Sequence, residues 1–430
     1  MFNKSALLLA VTLAISAVAN PSPSPLEPVQ RGTTIPLGKR SSLTREDGVF
    51  DHDKAIASTI FTLNKHRSNL INLQKNEGAH VFNAGAYIHP LKTIPIDVEA
   101  RMQKRQSEAL TDEEDDLEWA GSISVGTPGQ KFLIDFDTGS ADLWIPSSSC
   151  TSSTCSSKSK YKASSSSTSS KKSGTFTIEY GDGSTVSGPV YTDSVNVAGI
   201  SVSGQYFSPV TTLSSSFSDD PIDGILGLAF PAISNLGKNP FFNTAANAGA
   251  VAANQFSFYL ASTGSELYLG GANKAHYTGA IEYNSVDSSS GFWQATNGKA
   301  KVGTTTVLSS VQTIIDSGTT IMYGPPADVK KIFASVSGSK LFDSTNGFYS
   351  YPCATPPKIS FNYGGKDWTI SAANINLGQT TTGSKDCVAS LAAQDLGLGS
   401  HVFLLGDSFM KNMYSVFDFD REAVGFATLA

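Results

Sequence analysis

Two stretches of this 430-residue chain share one plan and recur at matching offsets. Phe136-Asp137-Thr138-Gly139-Ser140 and Ile315-Asp316-Ser317-Gly318-Thr319 each place an aspartate in an Asp-(Thr/Ser)-Gly-(Ser/Thr) turn straight after an apolar run. The runs are Lys131-Phe132-Leu133-Ile134-Asp135-Phe136 and Gln312-Thr313-Ile314-Ile315. An apolar β-type run closed by a Gly turn reads as a buried strand that delivers its last residue to a loop. Ninety residues after Asp137 stands Gly227, closing Ile225-Leu226-Gly227, and ninety after Asp316 stands Gly406, closing Leu404-Leu405-Gly406. Seven residues after each aspartate is an aromatic, Trp144 and Tyr323. A lone Asp-Thr-Gly is an ordinary turn whose Asp bonds nearby amides. Two copies that share one long offset mark an internal duplication, and hence two similar lobes.

These residues resemble the motifs of the pepsin-like aspartic proteases, particularly the secreted fungal ones, from about Trp119 to the end of the chain. The resemblance implies an all-β, bilobal pepsin-like fold with the active-site cleft between two related lobes. It implies that Asp137 and Asp316 are the catalytic pair, facing each other across the cleft. The apolar-apolar-Gly stretches would thread behind each turn. Ser140 and Thr319 would hydrogen-bond the outer carboxylate oxygens, and Gly139, Gly318, Thr319 and Thr320 would lie along the substrate. Ser317 stands where the family more often has Thr, keeping the hydroxyl and losing a methyl.

The chemistry explains why carboxylates come in a pair. Peptide hydrolysis needs an activated water and a proton for the carbonyl oxygen. An ionised carboxylate can take the proton from water while a neutral partner polarises the carbonyl. Two full charges ~3 Å apart at an effective dielectric of ~20 repel by roughly 5 kcal/mol. The pair therefore titrates as a unit with split apparent values, and activity is expected in acid. Glycines at Gly139 and Gly318 let the two loops approach closely. Water is the nucleophile, so neither a cofactor nor a metal is expected.

Met1 to Ala19 carries Lys4, the apolar run Ala6 to Ala19 and a small-x-small end, Ala17-Val18-Ala19, before a Pro-rich stretch. This reads as a secretory signal peptide, too short in its apolar part to span a membrane. The expected destination is secretion, with an acidic vacuole as the alternative. Residues 20–105 form a leader ending at the dibasic pair Lys104-Arg105, with Lys39-Arg40 as a second candidate cut. Helical periodicity runs from Asp51 to Glu77 through Ile56, Ile60, Leu63, Leu70, Ile71 and Leu73. Up to Arg105 there are 13 Lys and Arg against 8 Asp and Glu; the rest holds 18 against 29. A basic leader before an acidic body suggests a clamp held by charge. The resemblance implies the same: a propeptide that covers the cleft as an intramolecular inhibitor and sets a Lys against the aspartates. Lys65 and Lys75 are the candidates. His52, His66, His80 and His89 also lie in the leader, and their charging adds to the pH response.

The acidic run Asp112 to Asp116 reads as a solvated tail at the mature N-terminus. Residues 106–284 and 285–430 are the expected lobes, joined near Ser285 to Gly291. Thr175-Phe176-Thr177-Ile178-Glu179-Tyr180 alternates and then meets Gly181-Asp182-Gly183-Ser184, a strong hairpin signal. It matches the family's flap, with Tyr180 at the tip over substrate and its hydroxyl held by Trp144. Asp182 stands where animal pepsins often have a hydroxyl residue. A carboxylate there would accept a basic side chain on the acyl side of the cut bond, a preference that Asp182→Ser would remove.

The chain has four cysteines, for which three pairings exist. The Cys150 to Cys155 spacing suits a tight loop and leaves Cys353 with Cys387. Both pairs match the family, whose middle disulfide has no counterpart here. The Ser-rich loop Ser147 to Ser173 reads as a surface excursion open to O-glycosylation, and no Asn-x-Ser/Thr sequon lies outside the signal peptide.

The sequence lacks H-E-x-x-H and G-x-S-x-G, has only His276 and His401 after the leader, and shows no basic patch for nucleic acid. A mature chain of about 325 residues is ample for two cores. The expected product is a soluble monomer that cuts extended polypeptides, favours apolar residues around the cut and is blocked by statine-type inhibitors. The alternative is a catalytically inactive binding protein on the same fold. Loss of either aspartate would signal it, and both are present.

Overall fold

The ninety-residue offset is the register of a parallel ladder. In the computed structural model, Gln130–Asp137 runs parallel to Gly224–Gly227, with Ile134 opposite Gly224 and Asp137 opposite Gly227. Thr305–Ile315 runs parallel to Val402–Leu405, with Gln312 opposite Val402 and Ile315 opposite Leu405. A third strand closes each unit from the other side. Leu143–Pro146 sets Trp144 antiparallel to Ile225, and Met322–Gly324 sets Tyr323 antiparallel to Leu404. The central strands are thus flanked on both edges and buried at every position. That is why they read as unbroken apolar runs rather than alternating ones. Gly227 and Gly406 end them because a Cβ there would strike the backbone of Ser140–Ala141 in one lobe and of Thr319 and Ile321 in the other.

The structure describes residues 32–38, 42–107 (backbone only for 103–107), 119–179, 185–218 and 220–430. The signal peptide, the Lys39-Arg40 pair, the acidic run and the hairpin tip carrying Tyr180, Gly181 and Asp182 lie outside them. Among the described residues the architecture is all-β and bilobal, with few helices. Each of the two units above sits in its own seven-stranded sheet. A four-stranded sheet spans 340–389, and a six-stranded sheet draws strands from both halves. In the last, Gln255–Tyr259 pairs with Tyr414–Asp418, bringing Phe256 opposite Phe417. Their rings stack at 5.0 Å, and Trp293, Phe242 and Phe419 pack around them. One aromatic core thus joins strands distant in sequence. The disulfides link Cys150 to Cys155 and Cys353 to Cys387.

The leader is threaded through this body. Thr33–Pro36 adds an edge strand to the six-stranded sheet, with Thr33 opposite Leu269. The helix expected from Asp51 forms over His52–Asn76, capped by the Asp51 carboxylate, which accepts the Lys54 amide at 3.1 Å. One side packs Ile56 and Ile60 against Val98 of a second helix, Ile96–Ser107. Another face buries Leu63, Leu70 and Leu73 in a core shared with Ala229, Phe292 and Leu404. Asn64, Lys65, His66, Asn69 and Asn72 are buried too, so the helix lacks a solvated polar face. Buried polar groups need partners, and most of these find them in the body that follows the leader. No helix among the described residues is long and apolar enough to cross a membrane.

Candidate active site

Asp137 ends the first of the two apolar strands and Asp316 directly follows the second. Each carboxylate closes its own turn: the Gly139 amide donates to Asp137 Oδ1 at 2.8 Å, and the Gly318 amide to Asp316 Oδ1 at 2.9 Å. The two turns then lock together. The Thr138 amide donates to Ser317 Oγ (3.0 Å) and the Ser317 amide to Thr138 Oγ1 (2.9 Å). Each hydroxyl in turn donates to the strand before the opposite aspartate, Thr138 to the Ile315 carbonyl (2.9 Å) and Ser317 to the Phe136 carbonyl (2.7 Å). Four hydrogen bonds therefore hold the two carboxylates face to face, both essentially buried. A Cβ on Gly139 would collide with the Asp316 carboxylate, and one on Gly318 with that of Asp137. Here glycine is required by the approach of the opposite lobe.

Ser317→Ala is expected to destabilise the protein by about 1–3 kcal/mol, because it leaves the buried Thr138 amide and Phe136 carbonyl unpaired. Ser317→Thr keeps both bonds and should stay near the parent. Thermal unfolding of the two variants checks this; equal midpoints would show that the lock carries no strain-bearing role.

A leader cation occupies the space between the carboxylates. Lys65 Nζ lies 3.1 Å from Asp137 Oδ1 and 2.9 Å from Asp316 Oδ2. His66 Nε2 lies 3.2 Å from Asp316 Oδ2. An ionised carboxylate only accepts, so Nε2 is the protonated nitrogen. The other ring nitrogen, Nδ1, is buried and has no hydrogen-bond partner. Burial pushes the Asp316 carboxyl up, but the Lys65 ammonium and the His66 hydrogen bond outweigh it and hold the group well below the usual carboxylate range. Burial also dominates at His66 and holds its imidazole below the ordinary value, with Asp316 opposing. The same helix is tied to the Asp137 turn by Asn69, whose Nδ2 donates to the Gly139 carbonyl at 2.8 Å. Asn72 and Asn76 reach the carbonyls of Ile233, Ala232 and Ser234.

Of the two candidate lysines, Lys65 is at the aspartates; Lys75 sits in the last turn of the helix. Thr319 Oγ1 donates to Asp316 Oδ2 at 2.8 Å. Ser140 departs from the expected symmetry: its Oγ is buried without a partner. Asp137 Oδ1 already receives the Gly139 amide and Lys65. The Thr320 carbonyl accepts the amide and hydroxyl of Ser408, tying the second turn to the segment behind it. Trp144 packs edge-on against Phe217 at 5.1 Å; its expected partner Tyr180 is outside the described residues. The hairpin stems below the tip do pair, Glu179 with Thr185 and Ile178 with Val186. Sequence reasoning missed Thr138 and Asn69. The signal for Thr138 was available, since a hydroxyl follows the aspartate in both copies.

Paired, closely held carboxylates that attract a cation are suited to share one proton and to activate water. Residues 118–429 match the family model of eukaryotic aspartyl proteases. An aspartic protease of Phaffia rhodozyma is 43% identical over 324 residues, covering 74% of this chain and 78% of that protein. Major aspartyl peptidase 1 of Cryptococcus neoformans var. grubii is 31% identical over 386 residues, covering 83% and 79%. Penicillopepsin-3 of Penicillium janthinellum is 36% identical over 365 residues, covering 82% and 88%. With a duplicated aspartate turn, two interlocked β lobes and this likeness along most of its length, the chain belongs to the pepsin-like eukaryotic aspartyl proteases and is an aspartic endopeptidase.

Proposed function

We propose that Asp137 and Asp316 hydrolyse peptide bonds in acid, and that the protein is made as an exported precursor whose leader, residues 20–105, blocks them. The carrying observation is Lys65, within 3.1 Å of both carboxylates. A cation there holds the Asp316 carboxyl ionised and fills the place of the attacking water. Catalysis needs one neutral and one ionised carboxyl, so the leader blocks the chemistry as well as the path. Released by acid and cut near Arg105, the cleft takes an extended polypeptide through its backbone. The hairpin whose stems are Ser170–Glu179 and Thr185–Val197 closes over it, with Tyr180 and Asp182 at the tip. Export is supported by the signal-like Met1 to Ala19.

The test is hydrolysis of an acid-unfolded protein by the acid-treated precursor from about pH 2 to 7, with and without a statine-type transition-state mimic. N-terminal sequencing of the active species accompanies it. Acid-peaked activity lost with the mimic, and a new N-terminus close after Arg105, is the expected outcome. Full activity of the intact precursor at neutral pH would refute the blocking role of the leader.

A further inference from the structure

The leader helix is gripped from two opposite sides. Lys65 reaches the aspartates. Arg67, two residues on and so roughly 200° around the helix, reaches Glu179 on the hairpin stem, Nη1 to Oε2 at 3.2 Å. Arg67 Nε also donates to the His89 carbonyl at 3.0 Å, which fixes the guanidinium between leader and hairpin. Glu179 is the last residue of its strand, and the leader helix joins it to the aspartates, with Arg67 on Glu179 and Lys65 on Asp137 and Asp316. Once the leader departs, substrate must enter that space.

Besides Asp137 and Asp316, three carboxylates of the body meet leader side chains among the described residues: Asp343 meets His52, Asp395 meets Tyr87, and Glu179 meets Arg67. The first two are held by their own loops. Asp343 accepts from the Thr345 and Asn346 amides and from Asn346 Nδ2, and Asp395 accepts from the Gly397 amide. Among the described residues Arg67 is the one side-chain partner of Glu179. Its carboxylate is half exposed even with the leader in place (47%). Removing the leader leaves it at the cleft without a counter-charge.

We infer that Glu179 is a specificity-determining residue that accepts the basic side chain of a substrate Arg or Lys close to the cut bond, in the place the leader gives to Arg67. This rests on the Asp137–Asp316 reading above and names a substrate class for it.

The test uses the leader-free protein and peptide sets that differ only by Arg, Gln or Glu, stepped through the positions on either side of the cut. The ratio of kcat/KM within each set is read separately for each variant. An Arg preference of about fivefold over Gln is expected at one position, as for a partly exposed ion pair, shrinking at high salt. It should fall to about one in Glu179→Gln and turn toward the Glu peptide in Glu179→Lys. A damaged hairpin cannot acquire a new preference, so the reversal separates recognition from misfolding. No Arg preference at any position, or one that persists in Glu179→Gln, overturns the inference while leaving the endopeptidase reading intact. If no peptide of any set is cut, the catalytic reading fails and this one with it.

Discussion

Asp316→Asn in the leader-free protein is expected to lose activity by at least the roughly 10²–10⁴-fold carried by acid–base catalysis, at every pH. The substitution isolates chemistry from structure. An asparagine oxygen can still accept the Gly318 amide, and its nitrogen can donate to Thr319 Oγ1, so the turn and the interlobe bonds around it survive. What is lost is a group that can exchange a proton with Asp137. The same holds for Asp137→Asn, where the Gly139 amide keeps an acceptor. Hydrolysis rates of both variants across the acid range, alongside unfolding midpoints, decide the matter. A well-folded Asp316→Asn protein that still cuts at parental rates would remove the dyad mechanism.

Lys65→Ala in the precursor is expected to abolish latency at neutral pH. Removing one partner of a buried charge cluster costs about 3–5 kcal/mol, and here it leaves two buried carboxylates without their shared cation. The docked leader should loosen at pH 7, seen as leader cleavage or as binding of an active-site-directed inhibitor. A Lys65→Ala precursor as latent as its parent would sink the idea. The parent's acid response follows from two directions of shift. Asp316 is held below its ordinary range by the leader, so this part of the docking energy is complete above the ordinary carboxyl range near pH 4 and is lost as pH falls below it. His66 is likewise held below its ordinary value near 6.5, so the released leader takes up a proton that the docked one resists. Docking therefore begins to weaken as pH drops through that higher range, before the carboxylates respond. Protonation in place would bury an N–H at Nδ1 with no acceptor. His66→Gln keeps a donor for Asp316 but cannot titrate, and should delay release to lower pH. Release rates at about pH 5, measured for parent and His66→Gln, test it; identical profiles would assign the whole response to the carboxylates.

The aspartate turns, the apolar strands behind them and their ninety-residue spacing were all legible in the sequence, because each is a local pattern. A buried parallel strand must be apolar on both faces, and a turn that meets another backbone must be Gly. The offset mattered most, since it proved to be the pairing register itself. The leader helix was legible by its period, and its basic character pointed to a charged contact. Its asparagines carried no such sign: Asn69, Asn72 and Asn76 look like solvated residues until their carbonyl partners, 70 to 161 positions away, are in view.

By itself, then, the sequence determined the fold class, the identity of the paired aspartates and the presence of a basic covering segment. Each depends on residue type at fixed short spacing or on one repeated offset. Only the tertiary structure decided that Lys65 rather than Lys75 meets the carboxylates, that Thr138 and Ser317 cross the cleft to lock them, that Ser140 stands apart from Thr319, and that Arg67 is held by Glu179. Those are contacts between segments far apart along the chain. Their partners are chosen by how the lobes pack and how the helix is rotated between them, and no local pattern of residues encodes that rotation.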